Sequence, residues 1–144
     1  MGFANPPREE IEALLRRART LAVVGLSANP SRTSHGVAAA MQRFGYRVIP
    51  VNPAIDRALG ERAVAALDRL GEVLEPGELV DIVNVFRRPE HVAAIVDECI
   101  ALGLPAIWLQ EGVVDAAAAE RARDAGIVVV MDRCIYKDRA RLGG

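Results

Sequence analysis

A chain of 144 residues is close to the length of one domain, and it can bury about two-thirds of its unfolded surface without disulfide staples. Its hydrophobic fraction of 51% and charged fraction of 26% are those of an ordinary globular chain. Eighteen basic against nineteen acidic residues leave a formal charge of −1, which excludes bulk attraction to nucleic acid or an anionic membrane.

In chain order, Arg8–Arg19 follows Pro6-Pro7 and carries Ile11, Leu14, Leu15 and Ala18 on one face. This predicts an amphipathic outer helix, equally suited to a lid or a dimer contact. Leu21–Leu26 is a compact apolar run ended by the turn-rich Ser27-Ala28-Asn29-Pro30-Ser31, and predicts a buried strand. Ser34–Phe44 has helical composition and stops at Gly45. Arg47–Val51 is a second strand closed by Asn52-Pro53. The pattern is least defined between Ala54 and Glu78, where a short helix is expected over Ala63–Leu70 and a turn at Glu75-Pro76-Gly77. Val80–Phe86 is a third strand, and Pro89–Leu102 a helix with Gly103 just past its end. Pro105–Leu109, Asp115–Ala125 and Ile127–Met131 supply a strand, a helix and a last strand, and Cys134–Leu142 a short closing helix.

Strands alternating with helices at this spacing mean crossover units, hence an α/β fold: a mostly parallel sheet of about five strands with helices on both faces. One domain is expected over 1–144, with 1–19 the outer helix, 20–134 the core and 135–144 a tail or short helix. Its apolar runs are too short for a membrane span. The charged N-terminus is not a signal peptide, and two cysteines make no disulfide framework, so a reducing cytoplasm is the expected compartment.

In such a sheet the ligand lies beyond the carboxyl ends of the strands, at the switch point. That directs attention to Ser27–Ser34, Asn52-Pro53, Arg87-Arg88, Gln110–Val113 and Asp132–Cys134. In the first segment a helix start presents free N–H groups and a positive dipole end, which suits a diphosphate. Gly25 permits close approach of the backbone, Ser27, Ser31, Thr33 and Ser34 add hydroxyls, and Arg32 adds a fixed charge. Gly25→Val is expected to block that approach while leaving the fold intact. The dinucleotide fingerprint is absent, since Ser27 and Pro30 stand at its second and third glycine positions. No carboxylate ends the second strand, and Asp56 lies beyond Pro53. No G-K-[ST] triplet marks a P-loop. Nicotinamide and nucleoside triphosphate chemistry are therefore disfavoured.

Val24-Gly25-Leu26-Ser27 with Asn29-Pro30-Ser31-Arg32, then Gly45-Tyr46-Arg47-Val48-Ile49-Pro50-Val51-Asn52-Pro53, resembles the small single-domain CoA-binding proteins. These are relatives of the CoA-binding domain of the succinyl-CoA synthetase α subunit. Asp81–Arg87, Trp108–Val113 and Val129–Cys134 agree in order, over about residues 8–142. The resemblance implies a Rossmann-like, doubly wound domain that holds coenzyme A, or an acyl-CoA, without an established reaction. Carried across residue by residue, it implies phosphate contacts from Gly25, Ser27, Ser31, Arg32 and Ser34, with Leu26, Asn29 and Thr33 of the same loop also among the residues that bind the cofactor. Val51, Asn52 and Pro53 would lie along the adenosine, and Val85, Phe86 and Arg87 would line the next edge. Gln110, Glu111 and Gly112 would approach the pantetheine arm. Arg32 or Arg87 suits the 3′-phosphate, and Asn52 avoids the repulsion a carboxylate would bring.

Catalytic signals are thin. His35 and His91 have no Cys, His or acidic partner at ligand spacing, so no metal site is expected. Cys99 sits on an apolar helix face and reads as a core residue. Cys134, beside Arg133 at the ligand end, is the one candidate nucleophile, because a neighbouring cation lowers a thiol pKa. Two other functions compete with a binding module: a component of an acyl-CoA ligase or transferase that needs a partner subunit, and a protein for NAD or AMP. The oligomeric state and any protein partner stay open.

Overall fold

The computed structural model describes residues 2–143. Short β-branched runs become the parallel strands β1 (Thr20–Val24), β2 (Arg47–Val51), β5 (Ile82–Val85), β6 (Ala106–Leu109) and β7 (Val128–Val130). Between β2 and β5 lie β3 (Arg57–Ala58) and β4 (Glu61–Arg62), an antiparallel hairpin, and a 3₁₀ helix over Leu67–Glu72. The helices are α1 (Arg8–Arg17), α2 (Thr33–Arg43), α3 (Val92–Leu102) after a 3₁₀ turn at Pro89–His91, α4 (Ala116–Asp124) and α5 (Ile135–Ala140).

The large sheet runs β2-β1-β5-β6-β7, with every neighbouring pair parallel. Successive strand residues point to opposite faces, and both faces are covered, which is why the strands lack a polar alternation. Leu21, Val23, Val48, Ile82, Ala106 and Trp108 face α1, α2 and α5. Ala22, Val24, Ile49, Val83, Val85, Ile107 and Leu109 face α3, α4 and the 3₁₀ helix. The strand order turns back between β1 and β5, so the switch point lies there.

Two expectations need correction. The apolar stripe of the first helix is not left over for a lid or a dimer contact: Ile11, Leu14 and Leu15 are buried within the chain, Leu15 to 1% exposure, and α1 completes the helical layer beside α5. The α-helix expected over Ala63–Leu70 does not form. Instead Val64 pairs in parallel with Val51 (Asn52 N–H to Val64 O, 2.9 Å; Val64 N–H to Pro50 O, 2.9 Å), extending the sheet by one bridge beyond β2. Only then does the chain coil, as a 3₁₀ helix that buries Leu67 and Leu70.

Glu78 anchors the end of this connection. Its carboxylate accepts from the Thr20 hydroxyl (2.9 Å), the Glu75 main-chain N–H (3.0 Å) and the Arg47 guanidinium, at the entrances to β1 and β2. Burial alone would raise its pKa, but those donors outweigh it and hold the carboxyl below its usual range. Among the described residues no helix is long and apolar enough to cross a membrane.

Candidate functional site

A cleft of about 580 Å³ opens at the carboxyl edge of the sheet, over the switch point. Gly25, Ser27, Arg32, Thr33 and Ser34 line one side, from the β1–α2 loop. Phe86, Arg87, Arg88 and Pro89 line the second, and Gln110, Glu111, Gly112 and Val113 with Cys134 the third. Four of the five segments singled out by the sequence thus converge.

The fifth lies apart. Asn52 and Pro53 line a separate hollow of about 450 Å³, together with Asp56, Arg57 and Arg62. Asn52 is a brace: its Nδ2 donates to Leu26 O (3.0 Å) and its Oδ1 accepts from Ala54 N–H (2.9 Å). Leu26, Val51 and Val85 are buried core residues and give the cleft no side chain. Asn29 and Ser31 do not line it either. Asn29 Oδ1 accepts from both the main-chain N–H (3.0 Å) and the hydroxyl (2.9 Å) of Ser31, and so shapes the loop.

The β1–α2 loop leaves donors free. Ser34 Oγ accepts from Ser27 N–H (3.0 Å) and Ser27 Oγ from Asn29 N–H (3.1 Å), which folds the loop over the start of α2. The main-chain N–H groups of Thr33 and Ser34 have no acceptor among the described residues, as expected in the first turn of a helix. Gly25 has φ +86°, and a Cβ there would stand 2.4 Å from Phe86 O and 3.0 Å from Arg87 Cδ. The two loops meet so closely across the switch point that only glycine fits. The expectation that Gly25→Val leaves the fold intact is therefore wrong, because the obstacle is main chain.

The charge in the cleft is one-sided. Arg32 and Arg88 are exposed and Arg87 half-buried, and none of the three pairs with a carboxylate among the described residues. Glu111, the one acid in the lining, is held by Lys137 at 3.1 Å. Arg88, which the sequence singles out only as part of the Arg87-Arg88 segment, lines the cleft beside Arg87.

On the third side Gln110 is 5% exposed, and its Oε1 accepts from Asn84 Nδ2 (3.0 Å) and Ile135 N–H (3.0 Å). This ties β5, β6 and α5 together under the cleft. Gly112 N–H donates to Asp132 Oδ1 (2.7 Å) and Val113 N–H to Gln110 O (2.9 Å), so donors that could have met an oxyanion there are taken. Asp132 pays in conformation for that contact, with φ +62°. Arg133 forks onto buried Asp138 through two bonds of 2.7 Å, which neutralises the cation expected to activate Cys134. His35 and His91 are half-buried and do not line the cleft. Cys99 is fully buried, and burial pushes its thiol up to about 12. Among the described residues no His, Cys, Asp or Glu cluster could hold a metal ion.

The strand order and the place of the cleft define a Rossmann-like α/β protein whose hollow lies where such folds take their ligands. Residues 19–140 match the model of the CoA binding domain family, and the chain belongs to that family. It is 46% identical over 131 residues to YneT, an uncharacterized protein of Bacillus subtilis (strain 168), covering 91% of this chain and 93% of that one. A solved structure from Thermus thermophilus, cell-free ID.343, shares 38% identity with a TM-score of 0.84, over 95% of this chain and 99% of that one. The dinucleotide forming acetyl-coenzyme A synthetase 1 of Ca. Korarchaeum cryptofilum superposes with a TM-score of 0.63, over 81% of this chain and 27% of that one. At 20% identity that likeness is one of fold.

Proposed function

We propose that this protein binds coenzyme A, free or acylated, in the cleft at the carboxyl edge, and holds it without transforming it. The observation that carries the reading is the trio Arg32, Arg87 and Arg88, free of carboxylates, around a helix start whose first N–H groups are unpartnered. The diphosphate sits at Thr33 and Ser34, where dipole and free donors favour an anion. Gly25, which cannot carry a side chain, lets the β5 loop with Arg87 close in beside it. Guanidinium groups suit phosphate oxygens bidentately, and Arg32 or Arg87 takes the 3′-phosphate. The adenosine turns toward the hollow at Asn52 and Pro53, and the pantetheine arm toward Gln110, Glu111 and Gly112. Family membership supports the choice of coenzyme A over other phosphorylated ligands. The engaged N–H groups of Gly112 and Val113, and the absence of either histidine from the lining, support holding over acyl transfer, which needs a nucleophile with a base and oxyanion donors.

Calorimetry with CoA, dephospho-CoA and NAD tests the reading. CoA is expected to bind most tightly, and loss of the 3′-phosphate to weaken binding tenfold or more. That is the scale of one charge-assisted hydrogen bond, about 1.5–3 kcal/mol. Arg32→Gln or Arg87→Gln should erase the difference. NAD bound as tightly as CoA would refute the assignment. A thiol-release assay with several acyl-CoAs tests the second half: turnover that disappears in Cys134→Ser would make the protein a thioesterase or transferase.

A further inference from the structure

The feature that marks the cleft, arginines that line a hollow and pair with no carboxylate, is met at a second place. At the opposite, amino-terminal edge of the sheet a hollow of about 290 Å³ is lined by Leu15, Arg16, Arg19, Phe44, Tyr46 and Arg139, among others. It contains no Asp or Glu. Arg19 stands just before β1, Tyr46 just before β2, and Arg139 in the last turn of α5. None of the three arginines has a carboxylate partner among the described residues, although Arg133 and Arg141 on either side of Arg139 both do.

The guanidinium groups are placed without being satisfied. Arg139 stacks 4.5 Å above the Phe44 ring and donates to Tyr46 Oη (3.1 Å) and Gly143 O (2.8 Å). Tyr46 Oη is itself anchored, donating to Leu15 O. Among the described residues the Arg19 side chain reaches only the carbonyls of Arg16 (3.4 Å) and Ala18 (3.5 Å), and the Arg16 side chain has no partner. Asp81 takes the main-chain N–H groups of Arg19 (2.7 Å) and Thr20 (3.0 Å) and does not line the hollow. Outside this hollow and the cleft, only Arg17, Arg43 and Arg57 lack a carboxylate among the described arginines. In a chain with net charge −1, six of the nine described arginines without a carboxylate partner therefore line one of these two hollows.

We propose that the hollow at the amino-terminal edge is a second anion site, which takes a phosphate group through Arg16, Arg19 and Arg139. Three uncompensated positive charges repel one another in a concave site. A phosphate, with a charge of about −1.5 to −2 at neutral pH and several acceptor oxygens, relieves that repulsion and uses the fork geometry of arginine. Leu15, Phe44 and Tyr46 form an apolar wall beside it, which a small phosphomonoester can contact and inorganic phosphate cannot. The site is distinct from the cleft, since the two share no residue.

Residue-resolved amide NMR on the full chain without CoA, read at residues that line this hollow and not the cleft, tests this independently of the CoA reading. The signals of Gly45, Tyr46 and Gly143 are expected to shift saturably with inorganic phosphate or phenyl phosphate. Tighter binding of phenyl phosphate would identify a monoester as the ligand, and equal binding the free ion. Arg16→Gln with Arg19→Gln, both exposed positions, should weaken either titration at least tenfold. The proposal is overturned if these signals stay still, if sodium chloride of equal ionic strength moves them as far, or if benzoate binds as well as phenyl phosphate. It is also overturned if the double variant titrates like the parent protein.

Discussion

Gly25 is the position where a single methyl group has the largest expected consequence. In Gly25→Ala the new Cβ would lie 2.4 Å from Phe86 O, and the residue would have to hold φ +86°. The left-handed conformation costs about 1–2 kcal/mol for a residue with a Cβ. The overlap is with main chain, which cannot rotate away, and overpacking of that kind costs about 1–3 kcal/mol. Together they give roughly 2–5 kcal/mol, or about 5–15 °C in Tm at this chain length. Thermal unfolding followed through Trp108, the single tryptophan and fully buried, measures it. Gly36→Ala is the control: Gly36 lies in α2, a Cβ added there would meet nothing within 4 Å, and its φ is not positive. It should gain about 0.5–1 kcal/mol. A Gly25→Ala protein that melts within about 2 °C of the parent would refute the close approach of the β1 and β5 loops. A binding defect in that variant, by contrast, would follow from the distorted switch point and would not by itself locate the phosphates.

Glu78 predicts an acid-labile connection. Its folded pKa is depressed, so its contribution is present above the ordinary glutamate value of 4.5 and is lost as pH falls through the lower folded value. Glu78→Gln should cost of order 1 kcal/mol at neutral pH and flatten the fall in stability below that value, as urea unfolding across a pH series would show. Unchanged pH dependence in the variant would contradict it. The two thiols should differ in reactivity. Cys99, fully buried and pushed up to about 12, should resist a disulfide reagent at pH 8, whereas Cys134, 7% exposed at the cleft wall, should react slowly and more slowly still with CoA; two thiols titrating in the native protein would contradict this. At Asp132, Asp132→Asn keeps an acceptor for Gly112 N–H and tolerates positive φ. It should melt near the parent, whereas Asp132→Ala should lose about 2–3 kcal/mol. Equal melting of the two would show that the contact with Gly112 is not stabilising.

Much of the architecture can be read from the chain alone because the signals are local. The runs at Leu21, Arg47, Ile82, Ala106 and Val128 are apolar and rich in β-branched residues, and the first four are followed within four residues by a Gly, Pro or Asn seam. That alternation admits little but a parallel sheet covered on both faces. Four of the five ligand segments are legible for the same reason: the carboxyl ends of parallel strands come together whatever the side chains are. What the sequence does not show depends on contacts between distant segments. The hairpin β3–β4 has two residues per strand, and the bridge from Val51 to Val64 is made across the connection itself, so neither leaves a periodic trace. The bond from Asn52 to Leu26 O is not visible in the sequence, and Arg133 reads there as a free cation but is bound to Asp138. A residue's partner is chosen by the packed fold, and whether a charge is free or paired is decided only there. Gly25 shows the division most plainly: its place in the loop is visible in the sequence, while the reason for it, the Phe86 carbonyl roughly sixty residues away in the chain, belongs to the tertiary structure.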